Sequence, residues 1–77
     1  MTNTELLEEL IMKSGYKKSY IAKVIGLKST FGLMKKVQNK TEFKASEIVK
    51  LCELLGITKL EDRNKIFFAT ELTNRQL

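Results

Sequence analysis

Seventy-seven residues suit one small domain near the lower limit of what a single core stabilises unaided, and 43% apolar with 30% charged side chains is the make-up of a folded chain. One cysteine, no proline and no histidine exclude an intramolecular disulfide framework, a proline-rich linker and a histidine-based metal or acid–base centre. The net charge of +5 resides in one region: residues 13–41 hold eight lysines and no acid, residues 1–12 three glutamates and no base, and residues 42–77 six groups of each sign. Such segregation fits a polyanion-binding surface, with a solvated lysine-rich face as the bland alternative.

The opening MTNTELLEEL lacks the positive charge of a signal peptide, and the longest apolar run, Ile66–Ala69, is far too short to cross a bilayer. A soluble cytoplasmic protein without a membrane partner is expected, and a lone thiol suits a reducing compartment.

In chain order, Thr2-Asn3-Thr4-Glu5 fits a capping box and predicts a helix from Thr2. Leu6, Leu7, Leu10 and Ile11 give it an apolar stripe, and Ser14-Gly15 stops it. A second helix fits Lys18 to Ile25, with Ile21, Ala22 and Ile25 inward and Lys17, Lys18, Tyr20 and Lys23 outward. Gly26 follows where the chain must turn sharply, and Leu27 is the apolar residue inside the turn.

Ser29 or Thr30 caps a third helix that runs to about Gln38. Advancing about 100° per residue groups Thr30, Leu33, Met34 and Val37 on one side. Lys28, Phe31, Gly32, Lys35, Gln38 and Asn39 fall on the other, with Lys36 flanking. Lysine, amide and phenyl groups on one outward face suit a major groove, where lysine reads guanine acceptors, glutamine reads adenine and phenyl meets the thymine methyl. Gly32 costs this helix about 1 kcal/mol relative to alanine. Either the surface tolerates it, or the helix must approach a DNA backbone closely.

Asn39 to Lys44 is a polar connection. A fourth helix from Ala45 to Leu55 carries Ile48, Leu51, Cys52 and Leu55 inward and ends at Gly56. Thr58-Lys59-Leu60-Glu61 is a second capping box, opening a fifth helix over about 59–72, with the last five residues frayed. No strand-like alternation occurs, so the expected fold is all-α, a single domain of five short helices over residues 1–77.

Ala22-(x)3-Gly26-Leu27, preceded by Ile21 and followed by an apolar position in the next helix, resembles the lambda-repressor-like helix-turn-helix family. The repressors and Cro-type proteins of temperate phages belong to that family. The resemblance covers Leu6 to about Ile57, including the closing Leu-Leu-Gly-Ile. SGYKKSYIAKVIGL, NKTEFKASEI and the late IFFA are similar to short regulators of phages and prophages of Gram-positive bacteria. The resemblance implies a second helix whose start touches phosphate, at Lys18, and a third that reads bases from its early residues Ser29, Thr30 and Phe31. It also implies a bacterial host cytoplasm and a homodimer on an inverted repeat. One departure stands out: the family's inward β-branched position lands on Gly32, and the apolar residue follows at Leu33. The turn therefore carries one extra residue within Lys28–Thr30, which moves the reading register by about one position.

Together these readings give a candidate set. Lys28, Ser29, Thr30, Phe31, Lys35 and Gln38 are expected to read bases, the helix faces favouring Phe31, Lys35 and Gln38. Lys17, Lys18, Tyr20, Lys36, Asn39 and Lys40 are expected at phosphates, Tyr20 being equally suited to cover the core edge. Met34 and Cys52 are expected in the core. The adjacent Phe67 and Phe68 cannot easily both enter one small core. Either one is exposed and marks, with Leu72, a dimer or partner interface, or both are absorbed at the core edge. With no second cysteine, metal-ligand cluster or glycine-rich phosphate loop, neither catalysis nor a cofactor is expected. The expected function is a sequence-specific transcriptional regulator of double-stranded operator DNA. The alternative is a module on the same fold that binds a protein, such as a repressor it modulates.

Overall fold

Leu7, Ile21, Leu33, Leu51 and Ile66 are the largest fully buried side chains, and each comes from a different helix. The computed structural model describes residues 1–69. Its elements are α1 (Thr4–Ser14), α2 (Lys18–Val24), α3 (Thr30–Val37), α4 (Ala45–Leu55) and α5 (Leu60–Phe67). They form a compact all-α globule with no strand among the described residues. α1 packs against α3, α4 and α5, while α2 packs against α3 and α4. Among the described residues, no helix is long and apolar enough to cross a membrane.

Two helix starts differ from the local patterns. Asn3, not Thr2, caps α1, its Oδ1 accepting the Leu6 N–H at 3.2 Å. Thr2 is instead buried and held across the fold: its N–H donates to Asn39 Oδ1 (2.7 Å), and its carbonyl accepts from Asn39 Nδ2 (2.8 Å). Thr4 Oγ1 donates to the Val37 carbonyl and the Asn3 N–H to the Ile66 carbonyl, each at 2.6 Å. The first residues thus tie the end of α3 to α5. At α5 the Thr58–Glu61 box does not form, because the cap residue is Lys59 and the helix starts at Leu60 without a side-chain cap. α5 ends at Phe67, short of the expected 72, and the expected frayed tail lies outside the described residues.

The α2–α3 connection is built from two caps. Gly26 at φ +91° closes α2, with the Leu27 N–H donating to the Ala22 carbonyl (2.8 Å) and the Gly26 N–H to the Lys23 carbonyl (3.2 Å). That pair of bonds is a Schellman closure, whose left-handed residue strongly favours glycine. Ser29 then caps α3, accepting the Gly32 N–H at 3.1 Å. Both caps fix where the outer face of α3 begins.

Candidate nucleic-acid interface

Leu33 and Val37 are buried, which fixes the rotation of α3 and points its other side outward. Phe31 is 70% exposed, Gln38 is exposed and Lys35 is partly so. The Lys35 Nζ lies 5.4 Å from the centre of the Phe31 ring, a cation–π contact. Met34 was expected inward but is 39% exposed. It stands about 80° from the midline of Leu33 and Val37, on the flank of the buried stripe rather than within it. Lys28 and Ser29 are exposed and Thr30 half-buried, with the Ser29 hydroxyl oxygen engaged as the helix cap. A Cβ on Gly32 would meet only Ser29 Oγ, at an ordinary 3.6 Å, so the folded chain has room for alanine there.

At the start of α2, the helix that packs against α3, Lys17 and Tyr20 are both exposed. Tyr20 stacks beside Tyr16 with ring centres 5.4 Å apart, leaving half its surface open. Lys18 lies 3.3 Å from Glu8 Oε1 on α1, in a pair too exposed to be worth more than about 1 kcal/mol. An anion can therefore displace Glu8 at little cost. Lys17, Lys23, Lys28, Lys35 and Lys40 form no ion pair with an acid among the described residues.

Two expected phosphate contacts are committed elsewhere. Lys36 Nζ lies 2.9 Å from Glu47 Oε1 on α4, donates to the Glu42 carbonyl at 2.9 Å and sits 6.0 Å from the Phe43 ring centre. Only 12% of the Lys36 side chain and 8% of the Glu47 side chain remain exposed. Burial by itself would raise the Glu47 carboxyl, but the Lys44 N–H at 2.8 Å and the Lys36 ammonium outweigh it and hold the group below its ordinary value. Asn39 is the second. It adopts φ +64° and closes α3, with the Lys40 N–H donating to the Lys35 carbonyl and its own N–H to the Lys36 carbonyl. Its amide side chain holds Thr2 on both sides, so it serves the fold at the point where phosphate contact was expected.

The aromatic pair separates. Phe67 is 4% exposed and meets Phe43 edge-on at 5.5 Å, so its expected place in an interface is corrected to the core. Phe68 leaves helical geometry as the α5 cap and is 53% exposed, beside a shallow groove also lined by Met1, Glu42 and Phe43. Leu72 lies outside the described residues. Cys52 is buried as expected, and burial pushes its thiol up against the opposing Arg63 charge, which keeps it protonated and inert near neutral pH.

This surface can donate hydrogen bonds to anions and base acceptors and can cover a methyl group with its phenyl ring. Sequence reasoning gave Tyr16 no role and placed Met34 in the core, whereas both are exposed; for Met34, a narrower inward arc on the helical wheel was the available signal. Comparisons with protein-family models, curated proteins and solved structures find no match.

Proposed function

We propose that this chain is a lambda-repressor-like helix-turn-helix domain that binds double-stranded DNA in a sequence-specific way and regulates transcription. The observation that carries the reading is the outer face of α3: Phe31, Lys35 and Gln38 point outward together from a helix rotated by Leu33 and Val37. The Gly26 closure and Ser29 cap support it, since they join α2 to α3 through a short, rigid turn. In this reading α3 enters the major groove, and Lys17, Lys18 and Lys40 meet phosphates on either side. Lys36 and Asn39 leave the contact set and become supports. The protein is a Cro- or repressor-type regulator of phage or prophage origin, acting in a bacterial cytoplasm without catalysis or cofactor. It binds as a homodimer on an inverted repeat, with recognition helices about 34 Å apart.

Selection from a random duplex pool at moderate salt tests the reading. An enriched inverted repeat with half-sites about one turn apart is the expected result. Binding without any enriched sequence overturns it.

The exposed Phe68 favours a second reading, a protein-binding modulator of a repressor on the same fold. Phe68→Ser should then abolish capture of the partner while leaving DNA affinity unchanged. Unaltered oligomeric state and partner binding in that variant would count against the second reading.

A further inference from the structure

Phe31 and Lys35 stand four residues apart on α3, so they meet on the same outward face. The ring is among the most exposed apolar groups of the described chain, and the lysine ammonium lies 5.4 Å from its centre. A lysine that rests over a phenyl ring has fewer rotamers to lose when its tip meets an acceptor. The ring, held on one side by that ammonium, turns its remaining surface outward. Adjacent bases are about 3.4 Å apart along one strand, a spacing that the ring and the ammonium can bridge together.

We infer that Phe31 and Lys35 act as one reader of two neighbouring base pairs, the phenyl ring covering the 5-methyl group of a thymine and the ammonium donating to the O6 or N7 of an adjacent guanine. This inference rests on the DNA-binding reading above and adds to it the chemical group that must be present. Thymine alone among the unmodified bases offers that methyl in the major groove, and guanine alone offers two acceptors side by side. The half-site therefore contains a thymine next to a guanine. Phe31 has two roles, covering the methyl and orienting Lys35, whereas Lys35 has one. Their removal is accordingly unequal in effect.

Duplexes recovered from the random pool are remade with uracil replacing one thymine at a time, which deletes only the methyl group. For the unaltered protein, a single uracil at the thymine the ring covers should weaken binding about fourfold, the worth of one buried methyl-sized group. Phe31→Ala should bind thymine and uracil duplexes equally and also lose much of its preference for the neighbouring guanine. Lys35→Ala should lose the guanine preference yet keep the thymine–uracil difference. Phe31→Leu, apolar but without a ring, should keep the methyl sensitivity while its guanine preference declines. If the protein enriches a defined sequence but uracil costs nothing at any thymine, this inference is overturned and the DNA-binding reading stands. A pool with no enriched sequence overturns both.

Discussion

Lys35 and Lys36 are consecutive on α3 and carry the same charge, yet a rotation of about 100° sends them into different chemistry. Lys36 is folded inward against α4, its ammonium shared between Glu47 and the Glu42 carbonyl and lying over the Phe43 ring. Lys35 points outward, with no acid partner among the described residues and only a phenyl ring beside it. Both belong to the same run of eight lysines, so a count of charges treats them as equivalent. What separates them is the partner. A lysine paired in the interior braces the helix, and one left open has charge available for a ligand.

The widest separation should appear in stability. Lys36→Ala leaves Glu47 nearly buried without its cation, and urea unfolding should show a loss of about 3 kcal/mol. That is the low end of the range for broken buried pairs, because Glu47 keeps the Lys44 N–H. Lys35→Ala should change stability by no more than about 0.5 kcal/mol. In DNA binding the order reverses: Lys35→Ala should cost about 1–3 kcal/mol at one base position, measured by competition between duplexes. A Lys36→Ala variant that unfolds normally but has a shallower salt dependence of DNA binding would mean that the two lysines had been assigned the wrong way round.

Asn39 sharpens the same contrast between support and contact. Asn39→Ala loses both bonds to Thr2 and places a side chain with no local compensation at φ +64°, so a loss of about 2 kcal/mol is expected. Asn39→Gly keeps the left-handed closure and loses only the bonds, and should recover about 1 kcal/mol of that. Equal stability of both variants with weaker DNA binding would return Asn39 to the phosphate contacts.

The Glu47 carboxyl supplies a titration of the inner side alone. Its value is lowered in the folded chain, so the unfolded chain binds more protons between the two values. Its contribution is therefore complete above the ordinary value of 4.5 and is lost as pH falls through the lowered folded value. Glu47→Gln should flatten the stability profile over that acid window. A profile of the same slope in both proteins would remove the Lys36–Glu47 pair as the cause.

The legible parts of the fold were those decided within a few residues. The apolar stripes of α1 and α4, the Gly26 turn and the inward placement of Leu33 and Val37 on α3 follow from periodicity and cap chemistry and stand where expected, whereas Met34, grouped with that face, does not. The missed features depend on distant partners. Thr2 had the right neighbours for a cap, but Asn39, 37 residues away, takes its backbone groups first. Lys36 looked like its neighbours because Glu47 lies on another helix, beyond any local pattern. Adjacent phenylalanines require two directions, but only the end of α5 decides that Phe67 enters the core and Phe68 does not. The outward face was visible, and its supports were hidden.

Gly32 gives the smallest and most discriminating test, because fold and proposed function pull it in opposite directions. It lies on α3 between the inner and outer sides, with only Ser29 Oγ, at 3.6 Å, near the position of an added Cβ. The backbone there is ordinary helix, and Ser29 still caps the N–H. Gly32→Ala should therefore stabilise the fold by about 0.5–1 kcal/mol, through propensity alone. If α3 lies close against a DNA backbone at this point, the same methyl group must weaken binding even as melting temperature rises. A variant that is more stable and binds DNA equally well would assign Gly32 to surface tolerance and place the closest approach elsewhere on the helix. A variant that is less stable would mean that packing around α3 is tighter than the 3.6 Å contact implies, and Gly32 would then belong with Lys36 and Asn39 among the supports.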